Sequence, residues 1–234
     1  MSFKIYPPNY FSEEKDFQIA WQNAIRFCMK NGMVLPTEYG PKSKDICSTI
    51  IMTGKAINQI KRRNLHPKFP TSEKHLTEYV KQFMPEFNAS IFEYTYYDRL
   101  TNYPIAKDSN GVVYSINQLE NIKEELKNSR RLFAITWVPE IDLGSEEPPC
   151  LQSIQLRVLQ EPDMDNYILS KGQVEVFLTW RSRDLFSAWM ANLVAIVYMI
   201  YNEILEDNYE IIKITDFISM AHVYESDWQQ AGKI

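Results

Sequence analysis

Residues 173–201, QVEVFLTWRSRDLFSAWMANLVAIVYMIY, contain the two features that decide the fold. The first part, residues 173–180, alternates between apolar and polar side chains well enough to predict a strand. The second part, residues 185–201, is an apolar run that only Ser187 and Asn192 interrupt. A membrane-spanning helix usually needs ~20 apolar residues, so this run predicts a fully buried central helix instead. A strand that leads directly into a buried helix indicates a fold with both kinds of element.

Segments of helical and strand periodicity alternate along the rest of the chain. The signals are apolar spacing, β-branched runs and a capping-box pattern formed by Ser115 and Gln118. They predict helices over 15–31, 73–84 and 116–128, strands over 46–53, 132–137, 151–159 and 209–219, and loops over 35–45 and 138–149. The mixture predicts an α/β (α+β) fold, and the absence of a linker-like stretch predicts a single domain over residues 1–234.

Composition and charge exclude several classes of protein. The chain has 234 residues, of which 45% are hydrophobic and 24% charged, a balance typical of globular proteins. Its formal net charge of −5 disfavours a general nucleic-acid or membrane-surface binder, although a local phosphate pocket is compatible with it. The three cysteines lack CxxC spacing, the three histidines are scattered, and the N-terminus does not resemble a secretory signal. We therefore expect a cytoplasmic protein that has free thiols and no metal site.

Cys150 is the candidate nucleophile. Pro148 and Pro149 precede it and restrict the backbone, so that the cysteine lies where a loop enters a predicted strand. A thiol becomes a good nucleophile when nearby cations or donors stabilise the thiolate. Without further evidence, however, a buried structural cysteine is the more common case.

Polar residues at the ends of predicted elements are candidates for ligand binding. Arg130-Arg131 lies between a helix and a strand, and Arg181-Ser182 ends a strand shortly before Asp184. Arginine binds phosphate oxygens bidentately, and serine adds a hydroxyl donor. Surface solvation and salt bridging explain either arginine pair equally well.

His222, Tyr224 and Asn192 are the remaining candidates. In an extended segment His222 and Tyr224 point to the same side, where they could bind a sugar hydroxyl. Asn192 is an amide within an apolar helix and must find partners there, and a pyrimidine edge offers a matching donor and acceptor. A buried structural network is the alternative explanation for all three residues.

The order of these motifs resembles the family of thymidylate synthases and pyrimidine nucleotide hydroxymethylases, and most of all its short archaeal-type members. The resemblance is clearest over residues 75–228. The matching residues are Tyr94-Thr95-Tyr96, Arg99-Leu100, Ser129-Arg130-Arg131, Thr136-Trp137 with Pro139 and Asp142, Pro148-Pro149-Cys150, Gln155, Arg181-Ser182-Arg183-Asp184, Asn192 and Ala221-His222-Val223-Tyr224.

The resemblance implies a fold and a reaction. The fold would be a large mixed β-sheet packed by helices, with two chains associating sheet to sheet in a homodimer. Cys150 would attack C6 of a pyrimidine nucleotide, so that C5 can accept a one-carbon unit from methylene-tetrahydrofolate or a tetrahydromethanopterin analogue. Tyr96 would help to deprotonate C5, and Asp184 would line the site. Glu78 is the candidate for the family's catalytic glutamate, with Glu73 as the alternative.

The resemblance also implies how the nucleoside monophosphate is bound. Arg181 and Ser182 would hold the 5′-phosphate, and Arg130 and Arg131 would reach across the dimer to the partner's phosphate. Asn192 would read the base. His222 and Tyr224 would bind the sugar 3′-hydroxyl, and Gln155 is a further substrate-binding candidate in the strand after Cys150.

Several departures from the family pattern leave alternatives open. Leu151 replaces a histidine, Ala188 and Met190 replace a glycine and a proline, and Lys42 or Lys44 would substitute for a loop arginine. The chain ends ten residues after Tyr224, before the tail that closes over folate in longer members.

Three functions follow from these observations. They are thymidylate synthase acting on dUMP, a hydroxymethylase acting on dUMP or a cytidine nucleotide, and a catalytically silent nucleotide-binding dimer. Asn192 favours uracil, and retention of Cys150 with the binding residues favours an enzyme. We also expect neighbouring arginines to lower the pKa of Cys150 and to favour its thiolate.

Overall fold

A computed structural model of the chain describes residues 6–85, 87, 94–107, 109, 111, 113–127, 129–162 and 171–234. The strands are β1 (Asn9–Glu14), β2 (Met33–Pro36), β3 (Lys42–Thr53), β4 (Tyr103–Lys107), β5 (Val113–Ile116), β6 (Phe133–Ile135), β7 (Leu151–Gln160), β8 (Gly172–Asp184) and β9 (Tyr209–Tyr224). The helices are α1 (Phe17–Asn31), α2 (Lys55–Lys61), α3 (Glu73–Lys81), α4 (Tyr96–Thr101), α5 (Gln118–Glu124), α6 (Pro139–Asp142), α7 (Trp189–Ile200) and α8 (Trp228–Ala231).

The centre of the fold is a large mixed sheet. Its strand order is β1-β3-β9-β8-β7-β6, and β2 pairs with the first part of β3. The pairs β1–β3 and β8–β9 are parallel, and the other neighbours are antiparallel. Strands β4 and β5 form a separate hairpin. The α/β class and the large mixed sheet expected from the sequence are confirmed.

Helices cover one face of the large sheet. Every residue of α7 except Tyr198 is buried, as the apolar run predicted. Helix α1 buries an apolar stripe along one side. The indole N–H of Trp21, in this stripe, donates at 2.7 Å to the carbonyl of Leu185, which lies in the turn before α7. Within the described residues, no helix is both long and apolar enough to cross a membrane.

The other face of the large sheet carries exposed aromatic side chains. Phe11, Thr49 and Phe217 occupy one cross-strand row, and Phe133, Gln155 and Phe177 occupy the next. The exposed fractions of Phe11, Phe217 and Phe133 are 68%, 38% and 49%. We call the surface formed by Phe11, Phe133 and Phe217 the open sheet face.

The predicted loop over residues 35–45 is wrong at both of its ends. Residues 33–36 form β2, which pairs with residues 42–45 at the start of β3. The turn between them contains Gly40 with φ of +94°, a conformation that favours glycine. Residues 42–45 are polar, and backbone pairing within the hairpin, rather than apolar periodicity, makes them part of a strand.

Several predicted boundaries also shift. The capping residue of α5 is Asn117 rather than Ser115, because the Asn117 carboxamide accepts from the backbone of Leu119 and Glu120 at 3.1 Å. The predicted loop over 138–149 contains the short helix α6. Strands β8 and β9 run on to Asp184 and Tyr224, so Arg181 and Ser182 lie within a strand rather than at its end.

Candidate active site

A cavity of 220 Å³ opens where β7 begins and where the parallel strands β8 and β9 end. The register pairs Asp184 with His222, and the backbone N–H of Arg181 donates to the Cys150 carbonyl at 2.9 Å. Sequence-predicted site residues that line the cavity are Tyr96, Cys150, Arg181, Ser182, Asp184, Asn192, His222 and Tyr224. Residues separated by more than a hundred positions in the chain therefore face one space.

The thiol of Cys150 is largely shielded from solvent. Burial raises its pKa, and Glu38 raises it further, whereas Arg181 and Arg183 lower it. The net direction is upward, because desolvation outweighs the two guanidinium groups. Arg181 and Arg183 therefore act on the thiol pKa in the expected direction, but burial opposes the thiolate that they favour.

Arg181 fixes the turn that leads into Cys150. Its Nε donates to the Pro149 carbonyl at 3.0 Å, and its Nη2 donates to the Pro148 carbonyl at 2.6 Å. These bonds use two of the five N–H groups of the guanidinium, so the remaining three can serve a bound anion. Arg181 thus fixes the backbone immediately before Cys150.

His222 carries an acceptor that the described residues leave without a partner. Its Nδ1 lies 3.1 Å from the Met220 carbonyl, and because a carbonyl can only accept, the Nδ1 atom carries the proton. In the neutral ring Nε2 is then an acceptor, and it is buried with no hydrogen bond. The Tyr224 ring lies 4.6 Å away, centroid to centroid. A ligand hydroxyl in the cavity would satisfy Nε2.

Asp184 shapes the wall between β8 and α7. Its carboxylate accepts from the backbone of Phe186 at 2.8 Å and of Ser187 at 3.1 Å, and from the Ser187 hydroxyl. These bonds hold the turn of residues 185–188 that leads into α7. Asp184 lines the cavity, as predicted, and also caps that turn.

Tyr96 closes another side of the cavity. Its hydroxyl accepts weakly from the backbone N–H of Leu151, at 3.4 Å, immediately after the nucleophile. Burial raises the pKa of Tyr96 well above its usual value. The phenol is therefore protonated at neutral pH. Tyr96 can take part in proton transfer as a hydrogen-bonding phenol, but not as a phenolate that is already ionised.

Asn192 belongs to a buried network that the sequence did not reveal. Its Oδ1 accepts from Arg183 Nε at 3.0 Å, and its Nδ2 donates to the Tyr79 hydroxyl. Arg183 in turn pairs with Asp216 at 2.9 Å. Sequence reasoning missed Tyr79, Arg183 and Asp216 as a unit, because their side chains meet only after β8, β9, α3 and α7 pack together.

Comparison with known proteins agrees with this geometry. The family model described as thymidylate synthase matches residues 45–234. The chain belongs to the thymidylate synthase family. The resemblance inferred from the order of the motifs is therefore confirmed. Members of this family transfer one-carbon units to a nucleotide and use a folate-type co-substrate.

Relatives in methanogenic archaea carry the name "Putative thymidylate synthase". The protein of Methanocaldococcus jannaschii is 31% identical over 186 residues, which cover 76% of this chain and 74% of the relative. That of Methanosarcina acetivorans is 27% identical over 220 residues, covering 94% and 92%. That of Methanothermobacter thermautotrophicus is 25% identical over 239 residues, covering 96% and 98%. These matches agree with the expected likeness to archaeal-type members.

Glu78, the candidate for the family's glutamate, lies outside the cavity that contains Cys150. Its side chain is 58% exposed and pairs with Lys81 at 2.8 Å, which lowers the pKa of the Glu78 carboxyl. It lines a neighbouring cavity of 400 Å³ that shares Ala188 and Asn192 with the first. Glu73, the alternative, lies in the first turn of α3.

Arg130, Arg131 and Gln155 also lie outside the cavity. Both arginines are exposed, and Gln155 donates to the Arg130 carbonyl at 3.1 Å, which ties the segment before β6 to β7. Within one chain these side chains do not join the other binding residues.

The segment that contains Lys42 and Lys44 contributes to the cavity through other residues. Glu38 and Tyr39 line the cavity, whereas Lys44 donates to the Met29 carbonyl at 2.6 Å. The structure therefore gives neither lysine a place in the cavity wall. Among the residues that the structure describes, no group of three or more His, Cys, Asp or Glu side chains could hold a metal ion.

Proposed function

We propose that the protein is a thymidylate synthase that converts dUMP to dTMP with methylene-tetrahydrofolate or a related reduced pterin. The observation that carries this proposal is the single cavity in which Cys150 meets a guanidinium, an amide and an unpaired imidazole acceptor. Each group suits one part of a pyrimidine nucleotide. Membership of the family supports the same reaction class.

Nucleotide binding follows from the chemistry of the cavity wall. Arg181 and Ser182 bind the 5′-phosphate, since both present donors beside the nucleophile. Nε2 of His222 accepts from the sugar 3′-hydroxyl, and Tyr224 adds a second hydroxyl on the same side of β9. Asn192 binds the base edge. These contacts place C6 of the base near Cys150.

Bond formation at C6 starts the reaction. The Cys150 thiol loses its proton and its sulfur bonds to C6, which makes C5 nucleophilic enough to attack the methylene carbon of the co-substrate. The proton on C5 then passes to solvent through a hydrogen bond with Tyr96, while the bond between the methylene carbon and the pterin nitrogen breaks and leaves an exocyclic methylene at C5. Hydride from the released tetrahydropterin reduces this methylene to methyl, the sulfur leaves C6 and restores the cysteine, and the pterin departs as a dihydropterin. Asp184 holds the turn beside the reacting base.

We place the pterin in the neighbouring cavity of 400 Å³ that contains Glu78 and His75. It adjoins the nucleotide site at Asn192 and Ala188, so the two reactants would meet there. The ionised carboxylate of Glu78 can accept hydrogen bonds from the N–H groups of a pterin ring. This arrangement gives Glu78 a role that does not require contact with Cys150.

Mass analysis of the products tests the proposal. The protein is incubated with methylene-tetrahydrofolate and either dUMP or dCMP, and the nucleotide products are weighed. The expected product is dTMP from dUMP. A 5-hydroxymethyl product would establish the hydroxymethylase instead, and conversion of dCMP alone would overturn the choice of uracil. A protein that binds nucleotide but yields no product would be a silent binding dimer.

We further propose that the chain acts as a sheet-to-sheet homodimer. The exposed aromatic residues of the open sheet face support this proposal, because monomeric soluble proteins rarely expose a large apolar patch to water. The positions of Arg130 and Arg131, outside the cavity of their own chain, support sharing of sites across the dimer. Gln155 lies on the same face as Phe133 and would position Arg130 for the partner.

A mixing experiment tests whether sites are shared. An Arg130→Ala chain and a Cys150→Ala chain are co-expressed with different tags, and the verified heterodimer is assayed. One of its two sites then contains both Cys150 and Arg130, so part of the activity should return. Heterodimers as inactive as the parents would show that the sites are not shared.

We also propose a domain organisation and a cellular location for the protein. Residues 1–234 form one thymidylate synthase-like domain, which is supported by β1, β2 and β3 joining the same sheet as the strands farther along the chain. The protein resides in the cytoplasm, since Cys28, Cys47 and Cys150 are all free thiols and a reducing compartment keeps them so.

A further inference from the structure

Arg183 is the central residue of the buried network behind the base-binding amide. Its side chain is 1% exposed, and its guanidinium carbon lies 3.9 Å from the centre of the Trp180 ring. Its Nη1 donates to both oxygens of Asp216 at 2.9 Å, and its Nη2 donates to the Trp189 carbonyl at 2.8 Å. The remaining Nε points to Asn192. The guanidinium is therefore fixed on every side.

Asp216 fixes Arg183 in turn. Its carboxylate is fully buried and accepts from the indole N–H of Trp180 at 2.9 Å and of Trp189 at 2.7 Å. Burial raises the pKa of Asp216, and the guanidinium and the two indoles oppose that rise. A rigid charged pair of this kind holds its hydrogen-bonding atoms in defined positions.

We infer that Arg183 is a positioning residue for base choice, because it sets which end of the Asn192 amide is oxygen. A guanidinium has only donors, so the amide atom 3.0 Å from Arg183 Nε must be the acceptor Oδ1. Flipping the amide would set N–H against N–H. Asn192 is 7% exposed, so a flipped amide would set these two donors against each other in a largely buried position.

Tyr79, on the other side of the amide, cannot set this orientation. A hydroxyl donates and accepts, so it can pair with either end of an amide. Burial raises the pKa of Tyr79 to about 12, which keeps the hydroxyl protonated and able to do both. The two contacts on Asn192 are thus chemically different, and only the contact with Arg183 distinguishes oxygen from nitrogen.

Because the Asn192 amide is held in one orientation, it can distinguish uracil from cytosine. After these contacts Asn192 retains one lone pair on Oδ1 and one hydrogen on Nδ2. Uracil presents a donor at N3 and an acceptor at O4, whereas cytosine presents the same pair in reverse order. An amide that cannot flip matches only one of them, and under the proposed function that base is uracil. This inference rests on the proposed function for the assignment of Asn192 to the base.

Arg183→Lys tests the inference while keeping a positive charge beside Asp216. Lysine ends in one nitrogen, so a lysine bound to Asp216 no longer holds Oδ1 of Asn192. Dissociation constants for dUMP and dCMP are measured by calorimetry on the wild type and on folded variants. We expect the wild type to prefer dUMP, and the ratio of the two constants to fall by roughly tenfold to a hundredfold in Arg183→Lys.

Tyr79→Phe is the matched control. It removes the other hydrogen bond to Asn192 and leaves Arg183 in place, so affinity falls for both nucleotides while their ratio is retained. An equal loss of preference in both variants would mean general loosening of the site and would overturn the inference. So would an unchanged ratio in Arg183→Lys.

Neutron diffraction of the deuterated wild-type protein tests the orientation without any substitution, in case Arg183→Lys does not fold. Deuterium should occupy the amide atom that faces Tyr79 and be absent from the one that faces Arg183. The opposite placement would overturn the inference. Failure of the proposed function looks different: the wild type would then bind neither nucleotide, or would bind dUMP without converting it to dTMP, whatever the amide orientation.

Discussion

The chemistry of Cys150 depends on a balance between burial and charge at a single residue. Desolvation raises the thiol pKa, and the guanidinium groups of Arg181 and Arg183 reduce the rise without cancelling it. Under the proposed function, removal of the thiol proton would therefore have to accompany substrate binding. A protonated thiol in the free protein also limits reaction with unrelated electrophiles.

The pH dependence of alkylation measures this balance. Because the pKa of Cys150 is raised above 9.0, its ordinary value, the thiolate fraction stays low at neutral pH and increases only at higher pH. We expect the rate of iodoacetamide labelling at Cys150, followed by peptide mapping, to increase with an inflection above 9.0. Arg181→Met should move that inflection to still higher pH, since Arg181 lowers the pKa.

A Cys150→Ser chain supplies the background from Cys28 and Cys47 in the same assay. An inflection at Cys150 below its ordinary value would contradict the account. It would show that the arginines outweigh burial.

Sequence reasoning identified most of the residues around the cavity, because the motifs of the family keep their order along the chain. It missed the network formed by Tyr79, Arg183 and Asp216. Those side chains come from α3, β8 and β9, and nothing in local periodicity indicates that they meet. In α3 the sequence pattern favours the carboxylate of Glu78, whereas the side chain that reaches the network is Tyr79, because the helical position of residue 79 faces α7.

Elements with strong apolar periodicity could be predicted, and elements held mainly by backbone pairing could not. The buried stripe of α1 and the apolar run of α7 follow from side-chain burial, which the sequence displays directly. Strand β2 is only four residues long and the first residues of β3 are polar, and backbone pairing in the hairpin ladder holds both in place. The ends of β8 and β9 carry the polar residues that line the cavity. The apolar alternation that predicts a strand is therefore missing there.

Gly32 allows the C-terminal end of α1 to lie close to β3. Its N–H donates to the Cys28 carbonyl at 2.8 Å, and a Cβ on residue 32 would lie 2.5 Å from that carbonyl oxygen and 3.0 Å from Lys44 Cβ. Gly32→Ala should lower the free energy of unfolding by about 1–3 kcal/mol, since backbone must move to accept the methyl group. Urea denaturation measures the change.

Lys30→Ala is the control for this substitution, because residue 30 is exposed on the same last turn of α1. It should change the unfolding free energy by ~0.5 kcal/mol or less. Equal stability of Gly32→Ala and the wild type would mean that the end of α1 is free to shift away from β3.

At the scale of the whole molecule, the open sheet face is the feature that the single chain leaves unexplained. Phe217 lies at its centre, between β3 and β8. A carboxylate there would be buried without a partner in a sheet-to-sheet dimer, so Phe217→Glu should yield monomers in sedimentation velocity. Because Arg130 and Arg131 would then lack a partner site, activity should fall as well.

Tyr114→Glu is the matched control for the dimer. Tyr114 is 53% exposed, yet it lies on β5, outside the large sheet. This variant should sediment like the wild type. A wild-type protein that is monomeric, or a Phe217→Glu protein that remains dimeric, would contradict the proposed assembly.

The central claim is that Cys150 forms a covalent bond with C6 of a pyrimidine nucleotide in this cavity. The measurement that tests it most directly is mass spectrometry of the protein after incubation with 5-fluoro-dUMP and methylene-tetrahydrofolate, in which fluorine at C5 blocks proton loss and traps the adduct. We expect a ternary adduct on the peptide that contains Cys150, and none on a Cys150→Ala chain. An adduct on Cys28 or Cys47, or no adduct on a protein that turns over dUMP, would contradict it.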